Sequence, residues 1–222
     1  HKVTRKHIRL IMDQCEQDRN LSARSWNAYR TYLAMLFEQL IDYDLVEDNP
    51  VKQLRKKQED EPMRDVLTLE QRQLLKDYLS EHDPVFLRFI QIFFHSGARR
   101  TELLNLRIEN IHLDKSYYQV FIKKGRKKRW VNKVIKDIAL PYWVEQIGNN
   151  LSGYVFSVGL LPGGQAIRPE QVTRRWKRHV KDKLGITADL YSLKHLNTDE
   201  VSEHLSLAEA AKLNSHSIQM AR

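Results

Sequence analysis

The sequence contains a single cysteine, Cys15, among its 222 residues. A disulfide within these residues and a zinc site built from several thiolates are therefore excluded. No apolar run approaches the roughly 18 residues of a membrane-spanning helix, and the first residues contain no apolar signal core. We therefore expect a protein of a reducing compartment, located in the cytoplasm, without a membrane partner.

Negative charge is also scarce. Lysine and arginine number 37 against 28 aspartate and glutamate residues, a formal net charge of +9, and the isoelectric point is about 9.6. This balance favours a polyanionic partner, with nucleic acid ahead of a membrane surface. Hydrophobic residues make up 41% of the chain, which is enough for a packed core in one large domain or two modest ones.

The first 50 residues have the apolar spacing of two helices. Apolar residues over 8–15 lie about one helical turn apart, and those over 26–37 recur at three- and four-residue steps. Ser22 is predicted to cap the second helix. Pro50 ends this unit, because proline disfavours helix in the residue before it.

A charged stretch follows these helices. Residues 52–64 read KQLRKKQEDEPMR, with few apolar residues and one proline. This composition is typical of a linker. We therefore predict two domains, a small all-helical bundle over 1–61 and a larger domain over 62–222.

Helix caps mark the elements of the second domain. Thr68 and Gln71 form a capping box at the start of one helix, and Asp83-Pro84 supplies a cap and a first-turn proline for the next. The dense apolar residues 86–93 predict that this helix is buried on most sides, and Ser96-Gly97 ends it. Further helices are predicted from near Arg100, from near Pro141 and over 168–183.

One hairpin of strands is predicted. Residues 117–123 are rich in aromatic and β-branched side chains, Gly125 supplies a turn, and 129–135 is expected to return as the second strand. The predicted fold class is therefore mainly α with a small antiparallel β-sheet in the second domain.

The segment 97–106, GARRTELLNL, places an arginine at a helix start. Because Gly97 ends one helix, Arg99 lies where the amides and dipole of the next helix favour an anion. Its guanidinium adds a fork for phosphate oxygens, and Glu102, three residues on, can orient it. The alternative is a surface arginine in an ordinary helix start.

The run 123–129, KKGRKKR, lies at the tip of the predicted hairpin. A lysine on a turn can reach into a groove and donate a proton to a leaving oxygen. Lys124, directly before Gly125, suits this role best, and the alternative is the preceding lysine, Lys123. The alternative is a run of solvated charge.

Two further motifs lie near the C-terminal end, YSLKH at 191–195 and LNSHS at 213–217. Lys194 and His216 could hold a phosphate without a metal ion, and Tyr191 could hydrogen-bond a phosphate oxygen or pass a proton. The alternative places Tyr191 and Leu193 in the core and Lys194 on the surface.

The order and spacing of these four motifs resemble the tyrosine recombinase, or phage integrase, family. Residues 21–54 resemble the SAM-like core-binding domain of that family. The resemblance covers almost the whole chain and implies a DNA-binding domain over 1–61 and a C-terminally incomplete catalytic domain over 62–222. It implies no cofactor and no metal. The catalytic residues that it implies are Arg99, Lys124, Tyr191, Lys194 and His216, with Glu102 and His195 in support.

The third motif departs from the family pattern H-x-x-R-H. Tyr191 replaces the first histidine, and Lys194 replaces the arginine, which keeps the charge but loses the bidentate fork. The family's nucleophilic tyrosine lies about nine residues after the histidine that His216 matches. None of the nine tyrosines of this sequence is at that place, so we expect the nucleophile just past Arg222.

The resemblance implies a site-specific recombinase or integrase of phages or mobile elements, which cuts and rejoins double-stranded DNA through a 3′-phosphotyrosyl intermediate. The active assembly would be a homotetramer on DNA. The residues predicted to contact DNA are Lys6, Arg24, Asn27 and Arg30 in the first domain, and Lys123, Arg126, Lys127, Lys128, Arg129, Arg174 and Arg175 in the second.

Two alternatives remain open at the level of the sequence. The altered third motif and the missing tyrosine fit a catalytically degenerate protein of recombinase fold that binds DNA as an architectural factor. A metal-dependent nuclease needs clustered carboxylates, and the cluster Glu59-Asp60-Glu61 falls in the predicted linker.

Overall fold

The computed structural model describes residues 2–60, 65–124, 127–194 and 196, with the backbone alone for Lys123, Lys124 and Lys127. The chain forms two compact units, over 1–63 and 64–222. Within the described ranges, no helix has both the length and the apolar character needed to cross a membrane.

The first unit contains two helices, α1 (Arg5–Arg19) and α2 (Ala23–Asp42). The Ser22 hydroxyl accepts a hydrogen bond from the Ser25 amide and caps α2, as predicted. The apolar faces of both helices meet in a small core, formed by Ile8, Met12, Trp26, Phe37, Val51 and Leu54.

The start of the predicted linker belongs to this unit, so that prediction was wrong for residues 52–57. Leu54 is only 4% exposed, and the Arg30 guanidinium donates to its carbonyl. The Asn27 amide also exchanges two hydrogen bonds of 2.9 Å with the Lys57 backbone. Composition indicates a linker because residues 52–64 contain eight charged side chains. It does not reveal that one apolar side chain and hydrogen bonds from Asn27 and Arg30 attach the start of this stretch to the helices.

The second unit is mainly helical. Its α-helices are α3 (Leu69–His82), α4 (Pro84–Ser96), α5 (Arg100–Leu104), α6 (Leu140–Ile147), α7 (Pro169–Trp176) and α8 (Asp182–Leu184). The predicted caps are confirmed, since Thr68 and Gln71 bond reciprocally and the Asp83 carboxylate accepts from the Phe86 amide. The helix predicted over 168–183 is interrupted by a π-helical segment, Lys177–Lys181, which apolar spacing does not distinguish from an α-helix.

Three antiparallel strands form a small sheet in the order β1-β2-β3. They are β1 (Ile111–His112), β2 (Tyr117–Lys124) and β3 (Lys127–Val134). The predicted hairpin is confirmed as β2 and β3, with Tyr118 opposite Lys133 and Phe121 opposite Trp130. Strand β1 was not predicted, because two residues are too few for an alternating pattern.

Helix α4 lies at the centre of the second unit. Phe86, Phe89, Ile92 and Phe93 are fully buried, which confirms the predicted burial on most sides. The aromatic side chains Trp143 of α6 and Trp176 of α7 belong to the same core. This rigid core fixes the turn between α4 and α5, where the candidate site begins.

Candidate functional site

Arg99 lies at the start of α5, in the position that the sequence predicts. Gly97 ends α4 in the left-handed region (φ 59°), and Arg99 follows as the N-cap of α5 in an extended conformation. This tight turn directs the Arg99 guanidinium away from the core, and the Arg99 side chain is 30% exposed. The amide end of α5 and the guanidinium together favour an anion at this point.

Glu102 holds Arg99 from one turn further along α5. One carboxylate oxygen accepts from Arg99 Nη1 at 2.7 Å, and the other accepts from the Arg99 amide at 2.8 Å. The Glu102 side chain is 8% exposed, so this contact is well shielded from solvent. A guanidinium has five N–H donors, so donors of Arg99 remain for a phosphate.

Lys194 belongs to the same site. Its burial excludes the alternative interpretation of the third motif, in which Lys194 lies on the surface and Tyr191 in the core. Lys194 is 2% exposed and Leu193 beside it is 3% exposed, whereas Tyr191 is 45% exposed. Burial lowers the pKa of Lys194 to about 7; the nearby charges of Lys133 and Arg99 lower it as well, and Glu102 opposes them. The Lys194 ammonium lies 5.9 Å from the centre of the Tyr191 ring.

Lys133 is a part of the site that the sequence analysis missed. It lies on β3 with its side chain 1% exposed, and Nζ donates to the Gly97 carbonyl at 3.2 Å. Nζ is also 3.9 Å from Glu102 Oε2. Burial lowers the pKa of Lys133 to about 8, with Glu102 opposing and Arg99 adding to the shift. The sequence contained a signal for this role. Alternate residues of a strand lie on the same face, so Lys133 shares the inward face of β3 with the apolar residues Val131 and Ile135.

Two cavities flank Arg99. One, of about 510 Å³, is also lined by Arg100, Lys177, Lys181 and Tyr191. The other, of about 450 Å³, is lined by Glu102, Arg107 and the aromatic pair Phe121 and Trp130. The first cavity is rich in cationic side chains, so Arg99 lies beside a surface suited to a polyanion.

Several predicted site residues cannot be placed. Arg126, His195 and His216 lie outside the described residues, and of Lys123, Lys124 and Lys127 only the backbone is described. Lys124 is the last residue of β2 and pairs with Lys127, the first residue of β3. The choice between Lys123 and Lys124 as proton donor stays a prediction.

The predicted DNA contacts fall into two groups. Lys6, Arg24, Lys128, Arg129 and Arg174 are exposed. Asn27, Arg30 and Arg175 are engaged within the protein: Asn27 and Arg30 bond the backbone of residues 52–57, and Arg175 makes a bidentate ion pair with Asp83. These bonds give the three residues a structural role within the protein, and their contacts with DNA stay predictions.

Among the described residues, the site combines buried and half-buried cations with the carboxylate of Glu102. Arg99 and Lys133 lie beside this carboxylate, and the pKa of Lys194 responds to the charges of all three, so these four residues together have an excess of positive charge when both amines are protonated. Such a cluster can bind a phosphodiester and stabilise added negative charge on it. In the part of the chain that the structure describes, no group of three histidine, cysteine, aspartate or glutamate side chains could hold a metal ion.

The comparisons with known proteins agree with the predicted family. No protein-family model matches the chain. A protein of Pseudomonas syringae named as tyrosine recombinase XerC is 26% identical to this chain over 183 residues. The match covers 71% of this chain and 39% of that protein. The chain thus spans about two fifths of the length of this curated relative.

Solved integrase structures share the fold. A lambda integrase dimer bound to a COC′ core site matches with a TM-score of 0.75 and 18% identity, over 99% of this chain and 63% of that chain. A Tn1549 transposon integrase in complex with circular intermediate DNA matches with a TM-score of 0.72 and 13% identity, over 99% and 80% of the two chains. These matches confirm the predicted fold class, and with the curated relative they confirm the resemblance that the motifs indicate.

Proposed function

We propose that this chain, a tyrosine recombinase by motif and by fold, cuts and rejoins double-stranded DNA at specific sites through a covalent phosphotyrosyl intermediate. The observation that supports this most directly is the convergence of Arg99, Glu102 and Lys194, which come from motifs more than 90 residues apart, around one cationic site. The integrases of the same fold were solved on DNA core-site and circular-intermediate substrates.

The proposed reaction is an in-line displacement at one phosphodiester. A tyrosine hydroxyl, which the resemblance places after Arg222, attacks the phosphorus as its proton passes to a solvent water. The bond from phosphorus to the 5′ oxygen breaks, Lys124 donates a proton to that oxygen, and a 3′-phosphotyrosyl link and a free 5′ hydroxyl result. The reverse steps with a different 5′ hydroxyl rejoin the DNA, so no external energy source is needed.

Arg99, Lys194 and His216 would stabilise the pentavalent phosphate. Arg99 is pre-oriented, because Glu102 fixes its guanidinium before DNA binds. Preorganised donors of this kind cost no reorganisation during the reaction. Tyr191, half-exposed beside Lys194, would hydrogen-bond a phosphate oxygen in place of the family's histidine.

The remaining basic residues would bind the DNA backbone. In the first unit, Lys6 lies on a concave surface that is also lined by Arg5, Arg9, Arg55 and Lys56. In the second unit, Lys128 and Arg129 are exposed residues at the start of β3. Contacts of this type supply affinity without sequence information. We propose a homotetramer on two DNA sites as the active assembly, by analogy with the lambda integrase tetramer solved on a Holliday junction.

A second function is favoured by the burial of Lys194, which is 2% exposed. Burial lowers the pKa of this amine to about 7, and a lysine lacks the bidentate fork with which an arginine binds phosphate. A weaker hold on phosphate fits a DNA-binding or architectural protein that does not cleave.

The test uses the encoded protein, including whatever follows Arg222, and nicked duplexes selected from a randomised pool by binding. We expect a protein–DNA adduct that survives denaturant and forms in the presence of a chelator. Arg99→Ala should abolish the adduct while binding changes little. Arg88→Ala on α4 is the matched control, because it removes a half-buried arginine and its ion pair with Glu145 of α6. Tight binding without any adduct would establish the second function instead, and equal adduct from Arg99→Ala would refute the site.

A further inference from the structure

An aromatic pair is exposed on the hairpin of β2 and β3. Phe121 and Trp130 lie opposite each other in the strand register, and their ring centres are 5.4 Å apart. Phe121 is 41% exposed and Trp130 is 58% exposed. Neighbouring residues of a strand point to opposite faces, so the burial of Val120 and Ile122 places both rings on the face of the sheet away from the core. The proposed mechanism assigns neither ring a step.

The two rings also line a cavity. A cross-strand aromatic pair stabilises a hairpin by itself, so exposure alone does not indicate a ligand. The second observation is the cavity of about 450 Å³, whose wall includes both Phe121 and Trp130. This volume lies within the range of about 300–1,000 Å³ that is usual for small-molecule sites. The aromatic pair is therefore part of a concave surface that can enclose a planar group.

The same cavity adjoins the phosphate site. Arg99 and Glu102 of α5 line it together with Arg107. The carboxylate of Glu102 is paired with the Arg99 guanidinium at 2.7 Å, so the two arginines give this lining a positive balance. An occupant that carries negative charge next to a flat, apolar face matches such a surface. A nucleotide combines these two features.

Three amide side chains line the cavity as well, those of Asn105, Asn110 and Gln119. Gln119 precedes Phe121 on the same face of β2, and its amide nitrogen donates to the side-chain oxygen of Asn132 at 3.0 Å. Amide groups carry both donors and acceptors, and they bond the edges of nucleobases. The cavity thus offers rings for the face of a base and amides for its edge.

We propose that this cavity binds an unpaired nucleobase of the DNA strand whose phosphodiester Arg99 holds. Rejoining to a different 5′ hydroxyl requires the cut strand to leave its partner, so bases beside the break lose their pairing. Stacking on Trp130 and Phe121 replaces part of the stacking that such a base loses, and it tolerates any base sequence. The role in strand exchange rests on the proposed function, whereas the binding of an unpaired base does not.

The fluorescence of Trp130 reports whether a base stacks on it, because Trp26, Trp143 and Trp176 are at most 5% exposed. The 222-residue chain is titrated with a short duplex that ends in two unpaired adenosines, and with the same duplex carrying abasic sugars at both positions. We expect the adenosine overhang to quench Trp130 and to bind more tightly than the abasic overhang. Trp130→Phe identifies the part of the signal that comes from Trp130. Equal quenching and equal affinity for the two overhangs would overturn the proposal.

Variants at Trp130 separate base stacking from support of the hairpin. Trp130→Thr removes the ring and keeps a residue that suits a strand. Its preference for the adenosine overhang, measured by the anisotropy of dye-labelled duplexes, should fall by roughly tenfold or more, the usual effect of removing a ring from a base stack. Trp130→Phe should retain most of the preference.

Val134→Thr is the matched control, because Val134 is an exposed residue on the same face of β3 that does not line the cavity. It should leave the preference for the adenosine overhang unchanged. Thermal unfolding checks that each variant is folded. Equal losses of preference in Val134→Thr and Trp130→Thr would reflect a loosened hairpin and would overturn the proposal.

The consequence for strand exchange is tested with the adduct assay on the encoded protein. Trp130→Thr should slow the rejoining of the adduct to a new strand more than it slows adduct formation, and Val134→Thr should slow neither step. Equal slowing of both steps would contradict a role for Trp130 in holding the released base. If the wild-type protein forms no adduct, the proposed function fails, and the fluorescence titration still decides whether the cavity binds a base.

Discussion

At the residue scale, the exchange of arginine for lysine at position 194 fits the burial of that position. A guanidinium keeps its charge at any accessible pH, whereas a lysine can shed its proton when it is buried. Lys194 is 2% exposed and lies close to the cations Arg99 and Lys133. In the free protein, this buried position therefore accommodates a lysine, which can lose its proton, better than an arginine, which cannot.

Lys194→Arg tests this view of the residue. We expect the alkaline limb of adduct formation near pH 7 to disappear, because the guanidinium does not titrate. We also expect the free protein to unfold at a lower temperature, because a permanent and larger cation is then buried beside Lys133. The pH profile and a thermal melt measure the two effects, and a limb that stays near pH 7 would show that another group limits the reaction.

A comparison of Asn27→Ala with Arg24→Ala distinguishes structural from DNA-binding roles in the first unit. Asn27→Ala should destabilise this unit by about 1–3 kcal/mol, because it leaves the part-buried backbone polar groups of Lys57 without the side chain of Asn27 as their partner. Arg24→Ala, at an exposed position, should weaken DNA binding and leave stability nearly unchanged. Denaturant unfolding and a binding titration measure both. A loss of affinity in folded Asn27→Ala equal to that of Arg24→Ala would restore Asn27 as a DNA contact.

At the element scale, local signals in the sequence predict where the helices begin and end. Thr68, Asp83 and Gly97 act where the sequence predicts, because caps and left-handed turns require particular side chains within a few residues. The two-residue strand β1 and the π-helical segment Lys177–Lys181 depend on tertiary packing. Lys133 was overlooked for a related reason: an inward lysine on β3 looks like a surface residue until the facing carboxylate of Glu102 is known.

The cap of α3 gives a prediction at this scale. Thr68→Ala should lower the free energy of unfolding of the second unit by about 1 kcal/mol, because the hydroxyl accepts from the Gln71 amide. Ser80→Ala, on the same helix, removes a hydroxyl that donates to the Asp77 carbonyl at an exposed position and should have little effect. Equilibrium urea unfolding compares them, and equal losses would mean that the cap does not stabilise α3.

At the scale of the whole molecule, the excess of positive charge suits binding to a polyanion but leaves buried cations within the second unit. Lys133 and Lys194 have pKa values of about 8 and about 7 in the folded state, below the ordinary 10.5. Between these values the unfolded chain binds more protons than the folded one. The stability contributed by these two groups is therefore greatest above pH 10.5 and decreases as the pH falls toward 7.

This linkage predicts that the free energy of unfolding rises from pH 7 to pH 10, with up to about 1.4 kcal/mol per pH unit from each fully shifted group. The general relief of charge repulsion adds to this rise, so the comparison with Lys133→Met isolates the buried pair. In that variant the rise should be clearly smaller, because one shifted group is gone and the other titrates closer to its ordinary pKa. Urea unfolding at several pH values measures the slopes, and parallel curves would contradict the linkage.

If the Arg99 site holds a phosphodiester for attack by a tyrosine, the adduct itself will show which atoms are joined. The encoded protein is incubated with nicked duplex in the presence of a chelator, and the adduct is digested and sequenced by mass spectrometry. We expect a tyrosine esterified to a 3′ phosphate, with a free 5′ hydroxyl on the released strand. A link to the 5′ side, a link to a different type of residue, or tight binding without any adduct would refute this role of the site.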